Sequence, residues 1–342
     1  MLERPALVAG ASGFVGGHIT RLLVERGRAV RVLVRTTSNT EGLAGLPVEV
    51  FHGDVLDPPT LHRAMRGCGT VFYCVLDPRF WLSDPTPLYR NNVDGLVNAL
   101  DAALECSIPR FVFASTMGTL GINPNGAVTE DIAFNWHHRS PPYIRARLQA
   151  EERFLSCCRD NGLSGVALCI ANTYGPQDYQ PTPHGGMLWQ VASGKVRWAM
   201  DTSAPTVDIR DVAVAALAAE QHGRAGERYI IANEYISYRE MYSLAAAACG
   251  NPAPRMIPMP LAWAAAGVAE RVHRLLGHRD FMARTDAVFL ADVFRRLDSS
   301  KARRELFWNP RPIEETVRDA LAWYAAHAGP SAARANAGRE EQ

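Results

Sequence analysis

A glycine-rich turn between a short apolar run and a helical pattern constrains this chain more than any other feature. Gly10-Ala11-Ser12-Gly13-Phe14-Val15-Gly16 follows Leu7-Val8-Ala9 directly. After it, Ile19, Leu22 and Leu23 fall on one helix face, Gly27 ends the helix, and Ala29 to Val34 reads as the next buried strand. Such a strand, turn and helix make a cradle for a pyrophosphate. The glycines admit a tight turn and a close backbone approach, while the unpaired N–H groups and the positive end of the helix dipole attract the anion. Gly10, Ser12, Gly13, Phe14, Val15 and Gly16 are therefore expected to hold a dinucleotide. A glycine turn without a ligand is the plainer alternative.

The second strand ends in Arg35-Thr36-Thr37-Ser38, with no carboxylate where an NAD-selective site places one against the ribose 2′-hydroxyl. An arginine among hydroxyls suits a 2′-phosphate through charge-assisted hydrogen bonds, so the expected cofactor is NADP, with NAD also compatible. An exposed strand-end arginine with no such task is the other reading.

At 342 residues the chain can bury a large core, and its net charge of +1 gives no support to nucleic-acid or membrane binding. Seven cysteines, none in a Cys-x-x-Cys pair, indicate neither a disulfide framework nor a zinc site. Reduced thiols in a cytoplasmic protein are the expectation, with no metal. Met1 leads almost straight into the first strand, so no targeting peptide is expected. Met259 to Ala269 is apolar but stops at Glu270-Arg271, short of the roughly 18 residues a membrane span needs.

The first half alternates short apolar runs with helical ones. Val48–Phe51, Thr70–Val75, Arg110–Ala114 and Gly165–Ile170 read as strands, and Thr60–Arg66, Pro87–Cys106 and Pro142–Asp160 as helices. The alternation predicts an α/β fold, a Rossmann-type doubly wound parallel sheet. Prolines, glycines and aromatics then dominate from Tyr174-Gly175-Pro176 to Trp198. A helix at Asp211–Glu220, a strand at Arg228–Ile231 and a capping-box helix from Ser237 follow. The expected division is a Rossmann domain over residues 1–174 with about 206–235, and a smaller, mainly helical substrate lobe over 175–205 and 236–328. Residues 329–342 are expected to be a disordered tail.

Together these motifs resemble the extended short-chain dehydrogenase/reductases, in particular the branch with dihydroflavonol reductases and 3β-hydroxysteroid dehydrogenases. Gly10-x-x-Gly13-x-x-Gly16 is similar to that family's glycine pattern, and His52-Gly53-Asp54-Val55 to its adenine-contacting segment. Asn92-Val93-Asp94-Gly95 resembles its helix start after the fourth strand, and Phe111 to Thr116 its active-site strand. Tyr174-Gly175-Pro176, Asp208-Ile209-Arg210-Asp211-Val212 and Ser299 to Leu306 match as well. The resemblance implies hydride transfer between nicotinamide and a carbonyl or alcohol carbon. It makes Tyr143 the proton-exchanging tyrosine and Thr116, or its neighbour Ser115, the hydroxyl that bonds the reacting oxygen. It also places Asp54, Val55, Cys74, Ile170, Asn172 and Thr173 among the cofactor contacts.

One position departs from the family. Four residues after Tyr143, where a lysine lowers the tyrosine pKa and holds the nicotinamide ribose, stands Arg147. A unit charge about 5 Å away at an effective dielectric of about 20 favours the phenolate by roughly 3 kcal/mol, about two pKa units. Arginine supplies that term but no compact ammonium for a proton relay. Cys169-Ile170 also replaces the family's usual Arg-Pro.

Duller readings fit several conspicuous residues. His137 and His138 suit a loop surface, Asp208 and Asp211 a helix start, and His273 and His278 a surface or lid. Met187, Trp189, Trp198, Met200, Met256, Met259 and Trp263 supply apolar surface for a hydrophobic carbonyl or alcohol substrate, such as a steroid, 3-oxo lipid or polyketide-like molecule. A sugar-nucleotide epimerase or dehydratase with tightly held NAD, and a catalytically silent NADP-binding regulatory protein, are the alternatives. A homodimer is compatible with the sequence.

Overall fold

The computed structural model describes residues 4–79, 84–275, 284–293 and 296–327. His278, the side chain of His273 and the tail 329–342 lie outside what it describes. The first half runs β1 (Ala6–Ala9), α1 (Phe14–Glu25), β2 (Val30–Val34), β3 (Glu49–His52), α2 (Pro58–Met65), β4 (Thr70–Tyr73), α3 (Thr86–Tyr89), α4 (Gly95–Glu105), β5 (Arg110–Thr116), α5 (Pro142–Asn161) and β6 (Gly165–Ile170). It continues with β7 (Asn172–Tyr174), α6 (Pro183–Ala192), β8 (Trp198–Met200), β9 (Ser203–Asp208), α7 (Ile209–His222), β10 (Arg228–Ile231), β11 (Glu234–Ser237) and α8 (Tyr238–Ala248). The last elements are β12 (Arg255–Ile257), α9 (Met259–Leu275), α10 (Arg284–Val293), α11 (Ser300–Glu305) and α12 (Ile313–His327).

Seven strands form one parallel sheet in the order β10-β6-β5-β4-β1-β2-β3. This is the doubly wound arrangement expected from the sequence. Helices cover both faces, which is why β1, β4 and β6 are buried along their whole length. Alternation divides each strand between two cores. Val8, Phe72, Val112 and Leu168 pack with Ile19 and Leu23 of α1 and Val212 and Ala216 of α7. Leu7, Val71, Phe111 and Phe113 pack with Leu61 of α2, Ala99 of α4 and Phe154 of α5. The strand order reverses at β1, so the crevice beyond the carboxyl ends of β1 and β4 is where a dinucleotide fits.

The helix expected over Pro87–Cys106 is interrupted. A π turn at Arg90–Asp94 separates α3 from α4. The buried Asn92 sits in that turn, and its side chain donates to the Leu88 and Asp77 carbonyls at 3.0 and 3.1 Å while accepting from Asp77 N at 3.1 Å. A side chain engaging the backbone in this way accounts for the irregular turn.

The second lobe contains strands as well as helices. β11, β9 and β7 form a small mixed sheet and β12 pairs with β8. Tyr174, Leu188, Met241 and Leu321 anchor its core between α6, α8 and α12, and Ala262, Ala266 and Val288 join α9 to α10. Residues 297–308, assigned from sequence to the lobe, pack elsewhere. Leu297 bridges to Val128, and Ala302, Leu306 and Trp308 belong to the buried cluster on the large sheet. Among the described residues, no helix is long and apolar enough to cross a membrane.

Candidate active site

The glycine turn takes its shape from space that side chains cannot share. Gly10 has φ of +82°, and a Cβ there would lie 2.9 Å from the Cys74 backbone past β4. A Cβ on Gly16 would lie 2.3 Å from the Gly10 oxygen. Gly13 caps α1 without any side-chain hydrogen bond, so the first-turn N–H groups, including those of Phe14 and Val15, point into the crevice with no cap to satisfy them. This cradle fits a pyrophosphate. Ser12 adds its half-buried side chain to the same turn.

Around the cradle, Arg35 is exposed at the end of β2 and makes no ion pair among the described residues. Asp54 accepts from Leu56 N at 2.9 Å in the turn after β3, and Val55 packs against α4 at Gly95. Cys74 N donates to the Ala9 oxygen at 2.9 Å, and burial pushes its thiol up to about 12, so it stays neutral. Ile170 pairs with Thr116 across β6 and β5, while Asn172 and Thr173 begin β7 on the same side.

Thr116 ends β5 at the carboxyl edge of the sheet, and the start of α5, which carries Tyr143, packs beside the turn that follows it. Gly118, two residues beyond Thr116, abuts Ile144, where a Cβ would fall 2.5 Å from Ile144 Cδ1. Thr116 Oγ1 accepts from Gly118 N at 3.2 Å, which leaves its proton without an acceptor among the described residues. Tyr143 stands in the first turn of α5, and its hydroxyl has no hydrogen-bond partner among the described residues.

Arg147 lies one turn further along α5 and is 1% exposed. Its Nη2 donates to the Ala114 oxygen at 2.7 Å, Nη1 makes a long 3.5 Å contact with Asn92 Oδ1, and its guanidinium carbon sits 5.1 Å from the Phe113 ring centre. Its charge reaches Tyr143, but these donors serve the protein. The Tyr143 pKa is raised above its ordinary value because burial outweighs the pull of Arg147, with Asp77 opposing that pull. The charge-only estimate made from sequence omitted this desolvation. Asp77, itself buried, is gripped by Arg79 and Asn91 at 2.6 and 2.7 Å.

Ser115 points the other way. Its hydroxyl donates to Glu151, which also accepts from Thr119 at 2.9 Å and Arg228 at 3.0 Å. Adjacent strand residues face opposite sides, so Ser115 belongs to a buried polar network and Thr116 faces away from it. Asn92 and Asp77 are site neighbours that sequence reasoning missed as such. Asn92 lies in a recognised motif, while nothing local marks Asp77. His137 and His138 are exposed, and Asp208 caps α7 through Arg210 N.

A dinucleotide cradle at the switch point of a parallel sheet, with a tyrosine and a threonine at the same edge, defines a nicotinamide-dependent oxidoreductase. Residues 6–232 match the NAD dependent epimerase/dehydratase family, and the chain belongs to that family. It is similar to a Synechocystis sp. protein named for dihydroflavonol 4-reductase, 31% identical over 94% of each chain. It is 30% identical to sterol demethylase protein B of Methylococcus capsulatus, over 93% of this chain and 97% of that protein. The crystal structure of gox2253 superposes with a TM-score of 0.85 at 31% identity, covering 95% of this chain and 99% of that one.

Proposed function

We propose that this enzyme prefers NADP and interconverts a hydrophobic ketone and its secondary alcohol, the substrate being a steroid, a 3-oxo lipid or a polyketide-like molecule. The observation that carries the reading is the pair of hydroxyls, Thr116 Oγ1 and Tyr143 Oη, whose protons have no acceptor among the described residues. When bound, the nicotinamide supplies the hydride to the carbonyl carbon. The chain's own groups handle the oxygen: Thr116 donates a hydrogen bond to it and Tyr143 gives it a proton. Burial keeps Tyr143 in the protonated form that reduction requires. Arg147 stabilises the phenolate left behind.

Two features support the cofactor and substrate. Arg35 is free to meet a 2′-phosphate. Leu76 is 46% exposed just past β4, and Met200, Ile257, Met259 and Trp263 pack partly buried around the α9 cluster, a supply of apolar surface for such a substrate. The sterol-named relative fits that surface. The test is NADPH oxidation against panels of hydrophobic ketones and of nucleotide sugars, with Tyr143→Phe as control. Ketone-dependent turnover that vanishes in Tyr143→Phe is expected. Turnover of a nucleotide sugar with NAD retained through purification, or cofactor binding with no turnover on either panel, refutes the proposal.

A further inference from the structure

The loop after Tyr174-Gly175-Pro176 leaves the sheet, yet one of its side chains returns to the cofactor cradle. Gln180 Nε2 lies 3.0 Å from the Ser12 oxygen and 3.4 Å from the Asn39 oxygen. Both partners are carbonyl oxygens, so the atom between them is the amide nitrogen and it donates. Ser12 belongs to the glycine turn, and Asn39 closes the stretch that begins at Arg35, where Ser38 N donates back to the Arg35 oxygen at 3.0 Å. Gln180 thus spans the glycine turn and the stretch that begins at Arg35.

Its neighbours hold it there. The buried Asp178 accepts from Thr182 N and Oγ1 at 2.8 Å each and from the Tyr324 hydroxyl at 2.7 Å. The Tyr179 ring lies 5.5 Å from the Arg21 guanidinium and 5.4 Å from the Trp323 ring. Gln180 itself is exposed on a tethered backbone.

We propose that Gln180 is a specificity-determining residue for NADP, its amide N–H donating to the 2′-phosphate beside Arg35. This rests on the NADP preference argued above. An amide bonded to two neutral carbonyls, one of them at long range, gains by exchanging the longer contact for a phosphate oxygen, since a bond to a charged acceptor is stronger than one to a neutral acceptor. NADH offers only a hydroxyl there, and the gain is smaller.

Calorimetry of the full chain with NADPH, NADH and adenosine 2′,5′-bisphosphate tests the assignment. Gln180→Glu keeps the shape but replaces the donor with a like charge, so affinity for NADPH and the bisphosphate falls about ten- to a hundredfold, while that for NADH stays within about twofold. Gln180→Ala loses about three- to tenfold for the same two ligands. A parent that prefers NADPH while Gln180→Glu leaves all three affinities unchanged, or lowers NADH equally, overturns the role of Gln180 and leaves the cofactor preference standing. A parent that binds NADH as tightly as NADPH overturns the preference, and this assignment with it.

Discussion

Replacing Arg147 by methionine removes a positive charge one helical turn from Tyr143 and keeps most of the volume. Residues four apart on a helix are about 6 Å apart along its axis, and at an effective dielectric of about 20 a unit charge at that range is worth roughly 3 kcal/mol, or about two pKa units. Burial and Asp77 already push Tyr143 above its ordinary pKa, and Arg147 opposes both. Without it, the phenolate formed as the proton leaves has no compensating charge from that side, so reduction slows by about a hundredfold. The Ala114 oxygen also loses its 2.7 Å donor, a cost of about 1 to 3 kcal/mol that relief from a buried charge partly offsets. Arg147→Lys keeps the charge and is expected within about fivefold of the parent. The assay is kcat for ketone reduction from about pH 6 to 10, with urea melts to confirm folding; the alkaline limb should move upward in Arg147→Met as the tyrosine pKa rises. A folded Arg147→Met that works within about threefold of the parent, or an Arg147→Lys that falls as far as the methionine, refutes the electrostatic account.

Other outcomes follow from the same coordinates. Gly16→Ala puts a Cβ 2.3 Å from the Gly10 oxygen; dinucleotide affinity measured by calorimetry should drop at least about tenfold, because α1 must move off the turn. His18 Nε2 donates to the Pro176 oxygen at 3.0 Å, and burial lowers its pKa to about 3. The unfolded chain therefore takes up this proton first, near the ordinary histidine value of 6.5. Stability from this group is full above that value and is lost as pH falls toward about 3, by at most about 1.4 kcal/mol per pH unit. Urea melts of His18→Gln should show a shallower acid slope than the parent, and equal slopes would exclude His18 as the source. Glu151→Ala removes the carboxylate that accepts from Arg228, Ser115 and Thr119 and should cost about 3 to 5 kcal/mol in denaturant; a cost under about 1 kcal/mol would show that the network is not holding α5 to the sheet.

What could be read ahead of the structure divides by range. β1, β4 and β6 of the large sheet are buried along their whole length, so they stand out as apolar runs, and the glycine turn announces itself because its spacing is local. β7 and β9 do not stand out. Asn172–Tyr174 and Ser203–Asp208 mix polar residues and a proline, and they become strands by pairing with each other and with β11. The π turn was equally hidden, since it accompanies contacts between Asn92 and Asp77, fifteen residues apart. In the site, motif and spacing single out Thr116 and Tyr143 as the candidate pair. That Ser115 faces Glu151 follows from strand alternation only after the register is known. The sign of the Tyr143 shift needed burial, which no spacing reports.

The return of residues 297–308 to the large sheet limits how such an enzyme can acquire a new substrate. Lys301 reaches Glu227 at 2.7 Å, Trp308 Nε1 donates to the Asp211 oxygen at 2.9 Å, and Arg311 clasps Asp211 before the chain crosses back to form α12. The segments that pack together around α6, α8 and α12 therefore lie in pieces on either side of this stitch. A chimera that imports another lobe must join the chain at several places, some of them within packed core, and repair each seam at once. Single replacements on β8, β12 and α9, whose packing does not involve the stitch, offer a path that leaves the seams intact.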